Sequence, residues 1–371
     1  MGSIYSPFLL DPNTGQIIRD ESGNALWDRG EGNPALGIQS RPTLIGRNAL
    51  EEAILNQEVT TRDNYGYRFN ADVTLVEGLK VTLNYGQDIQ SSINNSYENP
   101  VVGDGDPTAR IDVTSFTRTV ENFNQIVNYN KSFGDHNFDL TVGHESFNRN
   151  FRRQRTFKTT ETASGIYELD NFSVIVAADG NSTDRRLEGY LARLNYNFNN
   201  KYYLSGSVRR DGSSVFSNNK WGTFYSVGGS WRIDQEGFMD NVSFINSLKL
   251  RGSYGEVGND QLGNFYISQP LYGILPNAGA PGIFWQSTGN LDLQWETTEM
   301  YDVALEFGLF NNRVSGSVEY YRRNTTDLLY DVPVRASFGQ NSGPDNVGDM
   351  YNEGIEVGLN ARIVDSDNFS W

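Results

Sequence analysis

Apolar side chains in this chain recur at every second residue, in runs of about ten, and a helical spacing is scarce. From 65 to 75 the odd positions are Tyr65, Tyr67, Phe69, Ala71, Val73 and Leu75. The even ones are Gly66, Arg68, Asn70, Asp72 and Thr74. Successive side chains of a strand point to opposite faces, so this stretch has one apolar and one polar face. Glu77-Gly78 forms a tight turn. Leu79, Val81, Leu83 and Tyr85 then resume the alternation against Lys80, Thr82, Asn84 and Gly86, which predicts a hairpin.

The pattern returns along the chain. Phe123, Val127 and Tyr129 mark a strand over 121–132, and Gly134-Asp135 turns it into Phe138, Leu140 and Val142. Strands follow over 187–198, 223–233, 247–255, 297–309 and 353–363, with returns after Asn199-Asn200 and Asn311-Asn312. A last strand begins at Phe369-Ser370-Trp371, giving about twelve in all. Turns at 77–78, 133–137, 199–201, 310–312 and 365–367 are short. Connections at 90–120, 150–184, 256–295 and 325–351 are long, with 211–221 and 234–246 in between. In an antiparallel sheet the short turns then share one end and the long connections the other. Transmembrane β-barrels have this asymmetry, with short periplasmic turns and long extracellular loops. Strands of about ten residues also suit a tilted membrane crossing, which needs about 9–11.

Composition sharpens this reading. The polar face carries Asn, Ser, Thr and Gly rather than the Lys and Glu of a sheet facing bulk water, as a water-filled lumen would. Tyr196, Phe198, Tyr202, Phe307 and Phe310 lie near strand ends at short turns, where an aromatic girdle belongs. With 30 basic and 46 acidic residues the formal charge is −16, which argues against a nucleic-acid partner. There is no cysteine for disulfide, thiolate or nucleophile. The two histidines, His136 and His144, are too few for most zinc or Ser-His-Asp chemistry. No apolar run reaches about 18 residues, so no transmembrane helix is expected. The start, Met1-Gly2-Ser3-Ile4-Tyr5, has no basic and apolar leader pattern, and the chain stops as a strand begins. We therefore read it as a section of a longer protein.

Several stretches are more specific. Arg209-Arg210-Asp211-Gly212-Ser213-Ser214-Val215-Phe216 leads into Trp221-Gly222-Thr223-Phe224-Tyr225, then Trp231-Arg232-Ile233 and Glu236-Gly237-Phe238-Met239. Leu248 to Asn259 reads Leu-Lys-Leu-Arg-Gly-Ser-Tyr-Gly-Glu-Val-Gly-Asn, and Leu293-Gln294-Trp295-Glu296, Phe310-Asn311-Asn312-Arg313 and Asn346-Val347-Gly348-Asp349-Met350 follow. In this order and spacing the set resembles the barrel of SusC-like (SusC/RagA) TonB-dependent outer-membrane transporters, from about residue 30 to the end. The resemblance implies a Gram-negative outer-membrane barrel of about 22 strands with a plugged lumen. It also implies a TonB-ExbB-ExbD complex acting through a plug, a SusD-like surface lipoprotein over the mouth, and oligosaccharide or peptide cargo. No plug domain is found in this sequence. Residues 1–371 are then part of one all-β barrel domain, with 1–63 mostly extracellular loop and 64–371 the strands, the last truncated.

Chemistry is otherwise sparse. No phosphate-binding Gly-rich motif occurs. Asp104 and Asp106 resemble a calcium loop, but the ligand set is incomplete, and a plain turn explains them. Glu296 and Glu299 lie three apart on a strand and so face opposite ways, as do Glu353 and Glu356, unlike a glycosidase pair. We expect no catalytic, cofactor or metal residues. For cargo binding the candidates are the loop aromatics Tyr266, Tyr272, Phe284 and Trp285, whose flat rings suit stacking on sugars. The alternative is a soluble or surface glycan-binding or adhesion β-protein whose apolar strand faces form a sandwich core. An outer-membrane enzyme barrel comes third.

Overall fold

The computed structural model describes residues 6–371 except 262, 336, 338, 364, 367, 368 and 371, with backbone alone at 365, 366, 369 and 370. The strands are β1 (Gln57–Val76), β2 (Leu79–Glu98), β3 (Arg110–Phe133), β4 (His136–Glu161), β5 (Phe172–Phe198), β6 (Tyr202–Ser213), β7 (Trp221–Arg232), β8 (Ile245–Asn259), β9 (Leu271–Asn277), β10 (Ala280–Ser287), β11 (Glu296–Leu309), β12 (Val314–Thr326), β13 (Leu329–Pro333), β14 (Ser342–Asn346) and β15 (Met350–Ala361). Eleven of them form one sheet in the order β1-β2-β3-β4-β5-β6-β7-β8-β11-β12-β15. It is a meander of neighbouring antiparallel strands. The pairs β9–β10 and β13–β14 are separate hairpins.

The short turns fall where the alternation predicts them. At Gly78, φ is +83° and a Cβ would stand 2.2 Å from the Asn130 carbonyl oxygen, so no other residue fits without a shift. Asn199 and Asn200 both take positive φ (53° and 54°), the left-handed pair that matches the twist of a two-residue hairpin. The expected strand at the chain's end pairs locally, Phe369–Ser370 against Asp365–Ser366; Trp371 and the 367 position of that turn lie outside the described residues, as do Met1 to Tyr5.

Two expectations change. The spans 90–120 and 150–184 are mostly strand, not loop: β3 begins at Arg110 and β4 runs to Glu161. Their apolar residues, such as Ile111, Val113, Phe151 and Phe157, are scattered among polar ones, so period two in hydropathy does not mark them. A sheet ladder needs backbone hydrogen bonds, not an apolar face. The long connections 256–295 and 325–351 contain the two separate hairpins.

Contacts divide the chain into two units, 1–66 with 88–119 and 150–183, and 67–87 with 120–149 and 184–371. In the first unit Tyr97, Ala109, Ile111 and Phe172 form a small buried core with Val113 and Leu169 against it. The Tyr97 hydroxyl donates to Glu161 (3.1 Å). Ion pairs bind the extended strands: Arg110 to Glu98 (2.5 Å) and Arg155 to Asp112 (2.5 Å). A short helix, α1 (Ala49–Leu55), is capped by the Asn48 side chain, which accepts from the Leu50 and Glu51 N–H groups. Glu51, buried, is held by Arg29 (2.6 Å).

Candidate functional site

In the second unit, the register of the large sheet builds two unlike faces. Directly opposed residues share a face, so Trp231, Leu250, Leu305, Val318 and Val357 make one row across five strands. Val303, Tyr320 and Ile355 make the row beside it. These side chains stand open to the surroundings: Val357 is 70% exposed and Ile355 71%. Among the described residues no second sheet of comparable size covers them, so the sandwich core of the soluble alternative is not formed.

Aromatic belts bound this apolar face at both ends. By the short turns, His136, Phe138, Tyr196, Phe198 and Tyr202 make a chain of ring contacts at 4.8–6.3 Å, and Phe244 meets Phe310 at 6.1 Å. Glu236 accepts from the Tyr202 hydroxyl (2.5 Å) and Trp231 Nε1 (2.9 Å) and pairs with Lys201 (3.3 Å). Those donors hold its carboxyl below the usual carboxylate range, the Tyr202 hydroxyl first. Toward the long connections a second belt was not anticipated: His144–Tyr190 (4.8 Å), Tyr190–Trp221 (6.1 Å) and Tyr254 stacked on Tyr301 (6.2 Å). Its hydroxyls point to carboxylates, Tyr190 to Glu188 (2.8 Å), Tyr254 to Glu256 (2.6 Å) and Tyr320 to Glu353 (3.2 Å). Rings with one apolar and one wet end suit a membrane interface. Tyr190 and Phe198 are eight residues apart on β5. That is about 26 Å along the strand and about 20 Å along the normal at a tilt of about 40°, close to an outer-membrane apolar band.

The opposite face is polar. Asn195, Ser205, Ser230, Lys249, Arg251 and Asp302 are among the residues lining a cavity of about 920 Å³. Arg251 donates to three carboxylates at once, Asp302 (2.7 Å), Glu306 (2.9 Å) and Glu319 (2.6 Å), above the buried Ala304. Lys249 shares Glu306 (3.4 Å) and Ser253 donates to Asp302. Ser207 and Ser226 pair at 2.6 Å. This surface of mixed charges and hydroxyls suits hydrophilic molecules, its cations Arg251 and Lys249 being already paired to carboxylates.

The ordered motifs meet in the connections. Val215 and Phe216 are buried with Leu293 and Ser268. Trp295 lies 5.4 Å from the Phe216 ring and 5.7 Å from that of Phe224, and donates from Nε1 to the Lys220 carbonyl (3.0 Å). Asp260 accepts from Ser213 (2.6 Å) and pairs with Arg185 (2.6 Å). Asn346 binds the Gln294 N–H and carbonyl and the Asp327 carbonyl. The motifs are thus one interlock whose partners are up to 79 residues apart in sequence, as Phe216 and Trp295 are, a grouping invisible to local pattern.

The cargo candidates separate. Tyr272 and Trp285 oppose each other across β9–β10 and share a face with the pair Ile274 and Ile283. Phe284 is on the other face, its ring over Gly273. Tyr266 is half-buried, its hydroxyl accepting the Asp184 N–H (2.8 Å), so part of it is committed to holding the loop. Asp104 is ion-paired to Arg47 and Arg110, which leaves a salt-bridged turn.

A family description, "TonB dependent receptor-like, beta-barrel", matches residues 8–371. The chain belongs to that family. It is an outer-membrane receptor barrel of the SusC kind. TonB-dependent receptor P26 of Formosa agariphila is 32% identical over 344 residues, 87% of this chain and 34% of its own length. TonB-dependent receptor SusC of Bacteroides thetaiotaomicron is 33% identical over 271 residues, 70% of this chain and 26% of its own. The structure of the RagAB peptide transporter superposes with a TM-score of 0.78 at 27% identity, over 85% of this chain and 36% of that one. The receptor barrel described here thus spans about a third of the length of the relatives it matches.

Proposed function

We propose that this section forms part of the pore wall and extracellular surface of a TonB-dependent nutrient importer. The observation that carries it is the two-faced sheet: one face apolar between two aromatic belts, the other polar over a cavity of about 920 Å³. In the complete receptor the polar face lines the path once a plug, outside these residues, is moved by the TonB-ExbB-ExbD complex. Oligosaccharide or peptide is the cargo, received beneath a SusD-like lipoprotein; the peptide transporter of similar structure and the SusC relative support both. Residues 1–63 belong to the extracellular side. Tyr272 and Trp285, adjacent and exposed, are the aromatic pair offered to cargo, ahead of Phe284 and Tyr266.

Deleting the intact gene is expected to abolish growth on at least one oligosaccharide or peptide source, with complementation restoring it. Unchanged uptake of every source tested would contradict import. Trp285→Ala in the complete receptor is expected to weaken cargo binding by about tenfold, as loss of a stacking ring does.

A further inference from the structure

We infer that the membrane-facing wall carries a site for a phosphorylated glycolipid of the outer leaflet. A depression of about 570 Å³ opens on the apolar side of the sheet, at the belt nearest the long connections. Its floor is Trp221, whose ring covers Gly212, with Tyr85 and Phe123 along one side. Arg186 and Lys220 line its upper rim, brought together because Ser213 and Ser214 bond to the Lys220 and Arg186 carbonyls (both 3.0 Å). A third cation, Arg210, lies over the Trp221 ring at 5.5 Å.

The charge of these groups is unspent. Among the described residues no carboxylate pairs with the Arg186, Arg210 or Lys220 side chain, although the chain carries 46 acidic residues against 30 basic ones. The two carboxylates in the depression are engaged elsewhere. Glu121 accepts from Gln87 (2.8 Å) and Asn148 (3.2 Å), and Glu188 accepts from Tyr190 (2.8 Å) and contacts His144 (3.1 Å). Position selects the ligand. Arg210 opposes Tyr190 in the sheet, and Arg186 is four residues further from the short turns than Tyr190. That is about 13 Å along the strand and about 10 Å above the belt at the same tilt, at headgroup depth. Acyl chains lie on the apolar face below, and a phosphate meets Arg186 and Lys220 in the depression, with Arg210 beside them on the Trp221 ring, as basic pockets beside membrane spans hold anionic headgroups. The inference concerns the outer wall and is independent of what the lumen carries.

The test uses the complete receptor in detergent, titrated with monophosphorylated lipid A and followed by native mass spectrometry. The triple variant Arg186→Gln, Arg210→Gln, Lys220→Gln is expected to bind at least about tenfold more weakly than wild type. Lys220→Gln alone, on an exposed connection, is expected to lose about fivefold, and Arg186→Lys with Arg210→Lys to retain binding. Arg62→Gln, exposed and elsewhere, is expected to change nothing. Equal binding by the triple variant, or equal binding of dephosphorylated lipid A by wild type, would overturn the site. Displacement of the lipid by millimolar inorganic phosphate would assign it to a free anion instead.

Discussion

Beyond the apolar face, the chain builds its outer parts in two different ways. Strands β1–β5 are 20–27 residues long and continue as ladder into the first unit. Strands β6–β8, β11, β12 and β15 are 12–15 residues long and give way to irregular connections. A continuing ladder satisfies its own backbone, so its side chains are free to be polar, and ion pairs such as Arg155–Asp112 suffice. An irregular connection leaves backbone groups without ladder partners, and these need side chains at fixed places. The recognisable motifs therefore crowd into the second region: Asn346 exists to bind the Gln294 and Asp327 backbone, Ser213 to bind Asp260, and Phe216 to fill the space beneath Trp295.

This contrast can be broken from the larger effect to the smaller. Phe216→Ala empties a fully buried ring site and is expected to cost about 3–5 kcal/mol. Calorimetry of the complete receptor should show a lowered transition, with proteolysis appearing near 288–295. Gly258→Ala would put a Cβ 2.1 Å from the Phe224 ring and is expected to cost about 1–3 kcal/mol. Phe224→Ala in the same chain should recover part of that loss, and a strictly additive double variant would contradict the close approach. Asn346→Ala removes three hydrogen bonds to backbone and is expected to cost about 1–3 kcal/mol, read as faster amide exchange around Gln294.

The first region should respond less and differently. Burial, then the bond to Glu161, raises the Tyr97 hydroxyl above its ordinary value of 10.0. A raised value means that its stabilisation is complete below about pH 10 and fades as the pH rises through the folded-state value, because the unfolded chain loses that proton first. Wild type should therefore lose stability above pH 10 more steeply than Tyr97→Phe in alkaline melts. Asp112→Asn is expected to cost at most about 1 kcal/mol and to matter less in high salt, since the pair is about a third exposed.

Much of this was legible in the sequence. Period two marked the membrane-crossing parts of the strands because lipid on one side and water on the other impose it residue by residue. Glu77-Gly78, Asn199-Asn200 and Asn311-Asn312 marked the short turns because few residues accept left-handed backbone. The extensions 110–119 and 150–161 look like loop in the sequence because their few apolar residues, Ile111, Val113, Phe116, Phe151 and Phe157, do not sustain an alternation. The second aromatic belt is hidden in the sequence because Tyr190, Tyr254 and Tyr301 lie within predicted strands and Trp221 in the connection 211–221, and they join only through the register. In the sequence, residue type alone singles out the cargo aromatics. Which of them are adjacent depends on the β9–β10 pairing, which hydropathy does not reveal in a hairpin apolar on both faces.

The most direct test of the two-faced wall is a spin-label scan of β6 in the complete receptor reconstituted in lipid. Single substitutions Leu204→Cys, Ser205→Cys, Gly206→Cys, Ser207→Cys and Val208→Cys place the label at five consecutive positions. Lipid outside and water inside predict that a water-soluble relaxant reaches 205 and 207, while oxygen dominates at 204, 206 and 208. A flat profile, or the opposite phase, would contradict the assignment of the two faces.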